Sequence, residues 1–139
     1  MKRLLIMLAA IMLAAPEMEA APNTVGKAVF EKNCSVCHSV NPPPKSAPPI
    51  VPIASRYHQQ FPSRAAGVNH MAAFLKSPSK AASRVDPEAI TRFGLMSPMA
   101  LGDAERKAVA EWVWDQYNPG TGRGTGAGRG QGARGGNCK

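Results

Sequence analysis

Aromatic residues are scarce: two Trp, two Tyr and four Phe in 139 residues. A chain of this size therefore has little of its own with which to fill a large interior. Acidic residues are also few, nine Asp and Glu against 17 Lys and Arg, which leaves a net charge of +8. That balance favours acidic partners, by steering and by faster association. Stretches that read as strands are rare and none pairs with another, so sheet-based folds are excluded. Beyond residue 15 no apolar run is long enough to span a bilayer, which needs roughly 20 residues. No membrane-inserted domain is expected.

What is present begins with Lys2-Arg3 and the run Leu4 to Ala15. At about 12 residues it has the length of a signal-peptide core, not of an anchor. Small residues and Pro16 follow, with cleavage expected after Ala20 or Ala21. Residues 1–20 thus read as an export signal, 22–118 as one domain, and 119–139 as a tail rich in glycine and arginine. Removing 1–20 takes away Lys2, Arg3, Glu17 and Glu19, so the charge stays at +8. The tail offers no surface to bury and is expected to be disordered. Its Arg-Gly repeats do not signal nucleic-acid binding in an exported protein. A solvated tether fits them better. Cys138 lies in that tail, as a neutral leftover or a site of intermolecular pairing.

The domain reads as all-α, with four or five short helices. Asn23 or Thr24 can cap a helix over 25–33, whose apolar positions Val25, Ala28, Val29 and Phe30 form one face. Residues 41–52 hold six prolines, which no regular element survives. Short helices are expected near 50–60, 68–76 and 86–92. Asp86-Pro87 starts the third of these and Gly94 stops it. The best-marked helix is 104–117, capped by Asp103 and favoured by Glu105.

Cys34-Ser-Val-Cys37-His38 is the attachment sequence of a c-type haem. Two thiols three residues apart can each reach one vinyl group of a porphyrin, and the next residue, His38, lies under the iron. One covalently bound haem c is expected, and it would supply the flat apolar body that the sparse aromatics do not. A disulfide between Cys34 and Cys37, a thioredoxin-like site and a zinc site are the alternatives. The second lacks its βαβ context and the third lacks further ligands at zinc spacing.

Gly26, Phe30, Cys34, Cys37 and His38 together resemble the start of class I cytochromes c. The resemblance covers about 22–118. It implies the cytochrome c fold, with Gly26 letting the first helix pass close to the last and Phe30 packing on an aromatic there, matched best by Trp112. It implies that a proline carbonyl after the haem-binding loop accepts from the ligating imidazole, with Pro48 as the match. It also implies a methionine sixth ligand just before the last helix. Met96 stands seven residues ahead of Asp103, as in the family pattern, although Ser97 replaces the usual proline. Met99 is the runner-up, and His58, His70 or an open site remain alternatives. Methionine equally fills core gaps, the role expected of Met71.

Trp114 is a possible haem contact, and Arg84, Arg92 or Lys45 could pair with a propionate. The resemblance implies a single-electron carrier, not an enzyme; the export signal places it in the periplasm, and its basic charge suits redox proteins with an acidic docking surface on their side. Lys27, Lys32 and Lys45 lie close in sequence to the haem edge. The chain could be a free shuttle or a subunit of a redox complex. The alternative function is a five-coordinate haem protein that binds a gas or performs peroxidase-type chemistry.

Overall fold

The computed structural model describes residues 22–119; the expected export signal and the tail beyond 119 lie outside them. Five helices and no strand make up the described residues: α1 Pro22–Asn33, α2 Ile50–Gln60, α3 Arg64–Lys76, α4 Pro87–Phe93 and α5 Asp103–Asp115. None of these helices is long and apolar enough to cross a membrane. The all-α expectation holds, and the arrangement is that of the cytochrome c fold.

Helix α5 is the spine, against which α1, α2 and α3 all pack. Its three faces do different work. Ala108 and Trp112 meet α1, where Gly26 crosses. A Cβ at residue 26 would lie 2.2 Å from the Ala108 carbonyl oxygen and 2.6 Å from Trp112 Cβ. Only glycine permits this approach. One turn on, the rings of Phe30 and Trp112 stack with centroids 4.5 Å apart. Such a pair adds about 0.5–1.5 kcal/mol beyond the area it buries. Trp114 meets α3, with its ring edge on Gly67. Arg64 of α3 reaches Asp115 at 3.1 Å and Glu111 at 3.7 Å across the same junction. The third face, Val109 and Val113, looks into a cavity.

Several boundaries differ from the sequence expectations. Helix α1 begins at Pro22 rather than after Thr24, because proline at a helix start loses no hydrogen bond. Its buried stripe is Gly26, Val29 and Phe30, while Val25 is 42% exposed and Ala28 is also outside. Helix α3 starts four residues earlier than expected, capped by the Ser63 hydroxyl, which accepts from the Ala66 amide at 3.2 Å. The N-cap of α5 is Gly102, not Asp103. The Glu105 carboxylate accepts the Gly102 N–H at 2.9 Å, so the helix start is satisfied from inside. Helix α5 also ends at Asp115, two residues short of Tyr117.

Helix α4 is built as the sequence suggests at its ends. Pro87 is at N1 and Gly94, at φ 79, terminates it. Asp86 makes no side-chain cap and pairs instead with Arg56. This helix packs on no other helix and buries no residue. Its apolar residues Ala89, Ile90 and Phe93 face the cavity.

Candidate haem site

The attachment residues sit where α1 runs out. The amides of Cys34 and Ser35 both reach the Phe30 carbonyl, at 2.8 and 3.0 Å. Those of Cys37 and His38 then turn back to the Cys34 carbonyl, at 3.1 and 2.9 Å. The pentapeptide is therefore one tight turn that carries Cys34, Cys37 and His38 to the same cavity wall. Both thiols are free, Cys34 half-buried and Cys37 exposed. Burial pushes the Cys34 thiol above its ordinary value, with the charge of Cys37 adding to the effect.

The proline-rich excursion from Ser39 to Pro49 closes on this turn through backbone bonds. The Ala47 amide donates to Cys37 O at 3.0 Å, Ile50 to Ser39 O at 2.9 Å and Val51 to Val40 O at 3.0 Å. The prolines have no N–H to place, so the few amides left fix the closure. The result delivers the Pro48 carbonyl to within 2.6 Å of His38 Nδ1. Pro49, its neighbour, is buried as the N-cap of α2.

The cavity measures about 340 Å³ and runs between α1, α2, α3, α4 and α5. Phe30, Ile53, Met71, Leu75, Val109 and Val113 are among its apolar lining residues. Met96 and Met99, from the loop between α4 and α5, also line it. Met99 is the more anchored of the two. Its amide donates to Leu75 O at 2.9 Å and its side chain packs on the core cluster. Met71 is buried in that same cluster, as a gap-filling methionine would be.

Other candidates are placed elsewhere. Trp114 is absent from the cavity; it lies against Gly67 and stacks on His58 at 3.9 Å, so it is a packing residue rather than a haem contact. Around α5 Trp114 is turned by roughly 100° from Val113 and roughly 140° from Val109, so it points away from the face they share. His58 donates through Nε2 to the Trp114 carbonyl at 3.0 Å and is held between Trp114 and Tyr117. His70 lies 3.3 Å from the Tyr57 hydroxyl and also misses the cavity. Lys45 donates to Ser35 O at 2.6 Å, and Arg92 covers Phe93, so neither lines it. Arg84 does line it.

Two residues escaped the sequence reading. Tyr57 is 3% exposed and lines the cavity, and burial pushes its phenol up to about 12 against the opposing charge of Arg84. Arg106 is buried on α5. A tyrosine three residues after the apolar Ala54 was a readable signal of an inward face, whereas nothing in sequence marks an arginine as buried.

These residues fit an iron porphyrin. The donors are two thiols, an imidazole and thioethers, soft or borderline ligands suited to haem iron. The Pro48 carbonyl can only accept, so Nδ1 of His38 keeps its hydrogen and Nε2 carries the lone pair. The apolar side of α4 has no helix to pack on and requires an apolar body in the cavity.

Fold and site together define an all-helical haem protein. The chain belongs to the cytochrome c family, which it matches over residues 24–116. This is a family of haem-based electron-transfer proteins, generally not enzymes, whose haem c is bound covalently. The chain is also 28% identical over 138 aligned residues to an uncharacterized protein of Aquifex aeolicus (strain VF5), the match covering 84% of this chain and 89% of that protein. No solved structure matches it significantly.

Proposed function

We propose that this protein is a monohaem electron carrier of the periplasm, exported by residues 1–20. One haem c is attached through Cys34 and Cys37, with His38 and Met96 as the axial ligands. The observation that carries the reading is the single cavity lined at once by Cys34, Cys37, His38, Pro48 and Met96. When bound, the haem supplies a one-electron ferric/ferrous couple.

The chain's own residues tune and protect that couple. The Pro48 carbonyl orients His38 and makes it a stronger donor. The Met96 thioether favours the ferrous state and raises the potential. Met99, tied to Leu75 by its amide, is the less free of the two methionines to reach the iron. The apolar walls keep water from the ring, which limits reorganisation during transfer. Cys37 and Val36, the latter 78% exposed, mark the edge where electrons pass. Lys45, tied to Ser35, together with Lys32, offers that edge positive charge for an acidic redox partner, whereas Lys27 is paired with Glu31 at 2.8 Å.

The test is optical spectroscopy of ferric and ferrous holoprotein, with and without carbon monoxide. Sharp low-spin ferrous bands, a far-red sulfur-to-iron band lost in Met96→Ala, and no carbon monoxide binding by the wild type are expected. High-spin spectra with ready carbon monoxide binding would overturn the assignment in favour of a five-coordinate, gas-binding or peroxidase-type protein. Electron exchange with an acidic partner should slow as salt rises.

A further inference from the structure

Arg106 is the only charged residue among the described residues that is buried. It stands in the second turn of α5, near the end where the helix dipole disfavours a cation. Burial there is costly unless the guanidinium is bonded. Nη1 donates to the Leu101 carbonyl and Nη2 pairs with the Asp103 carboxylate. The Asp103 side chain is 86% exposed, so its charge is screened. The Leu101 carbonyl is the partner that burial strengthens.

Leu101 ends the loop that carries Met96. Its side chain is in the core, and its amide donates to Met99 O at 2.9 Å. The Met99 amide in turn donates to Leu75 O at the end of α3. Backbone 99–102 is thus pinned to α3 on one side and, through Arg106 and Glu105, to α5 on the other. Upstream, Gly94 fixes the exit from α4. Between these two anchors residues 95–98 make no hydrogen bond, and Met96 lies there, facing the cavity.

We infer that Arg106 is a positioning residue for the sixth ligand: its bond to the Leu101 carbonyl holds the downstream anchor from which Met96 reaches the iron. The inference rests on Met96 being that ligand. An iron–thioether bond is kept only while the loop ends stay fixed. Without the guanidinium the Leu101 carbonyl loses its partner, the loop opens more often, and Met96 yields to competing ligands.

The experiment uses matured holoprotein: wild type, Arg106→Leu, Arg106→Lys, and Arg64→Ala as a control at the α3–α5 junction, away from the loop. Imidazole is titrated against the ferric form, carbon monoxide against the ferrous form, and thermal midpoints are recorded. Arg106→Leu is expected to weaken the far-red band and to tighten imidazole binding about tenfold or more, the scale of one lost charged hydrogen bond. Arg106→Lys should fall between, and it carries the test if the leucine variant does not accumulate. Arg64→Ala should lower the midpoint and leave imidazole binding unchanged. If the Arg106 variants bind imidazole no better than Arg64→Ala, the inference is overturned while Met96 ligation stands. A wild type with no far-red band overturns both.

Discussion

His38 Nδ1 lies 2.6 Å from the carbonyl oxygen of Pro48, ten residues further along the chain. The contact depends on the Ala47 amide, which ties the loop to Cys37 O. Ala47→Pro removes that donor. The carbonyl should drift, leaving His38 a weaker donor to ferric iron, so the reduction potential rises. A redox titration against wild type checks the sign; an unchanged or lower potential would contradict it.

The two loop methionines should separate cleanly. Met96→Ala is expected to lose the far-red band, bind carbon monoxide and show a lower potential, since a soft ligand has been removed. Met99→Ala should keep the band. It should lose about 2–4 kcal/mol of stability, because Met99 packs on the core. The reverse pattern would make Met99 the ligand.

Glycines 26 and 94 are required for different reasons, and alanine tells them apart. At 26 the added Cβ meets backbone and Trp112, and neither can yield. Gly26→Ala should cost about 1–3 kcal/mol or more, as overpacking does. At 94 nothing lies within 4 Å of the added Cβ, but φ is +79. Gly94→Ala should cost about 1–3 kcal/mol without any steric overlap, because φ 79 with ψ 176 is a backbone conformation essentially confined to glycine. Denaturant unfolding of both holoproteins gives the comparison.

Stability should fall off at both ends of the pH scale for identifiable reasons. Burial holds the Tyr57 phenol up at about 12 against an ordinary 10.0, with Arg84 opposing. Between those values the unfolded chain has lost a proton that the fold retains, so stability drops as pH rises through 10 to 12. Burial, with Arg84 adding to it, holds His70 below its ordinary 6.5. There the unfolded chain gains the proton first, so stability drops as pH falls below 6.5. Tyr57→Phe should flatten the alkaline slope and His70→Gln the acid one, measured as midpoint against pH.

Covalent attachment predicts its own signature. Cys37→Ser should leave a haem held by one thioether, with the pyridine haemochrome band moved to longer wavelength. The Cys34→Ser/Cys37→Ser pair should release its haem to acidified acetone. Amide exchange in α4 should then quicken more than in α1 or α5, because α4 packs on no helix.

The sequence by itself determined whatever is local or periodic. The turn from Cys34 to His38 is five residues long, and its chemistry follows from that spacing. The crossing of Gly26 under α5 and the Phe30–Trp112 stack were legible through the resemblance to class I cytochromes c carried by Gly26, Phe30, Cys34, Cys37 and His38. Pro87 and Gly94 marked the ends of α4 by their own backbone chemistry. Tertiary structure decided what depends on how faces are rotated and where a loop closes. Val109 and Val113 look into the cavity because Trp112 and Trp114 are taken by α1 and α3. Pro48 rather than Pro49 reaches His38 because the amides of Ala47 and Ile50 set the closure. Arg106 could not be read as buried, since a charge enters a core only where a partner waits, and the Leu101 carbonyl reaches it only once the loop lies folded against α5.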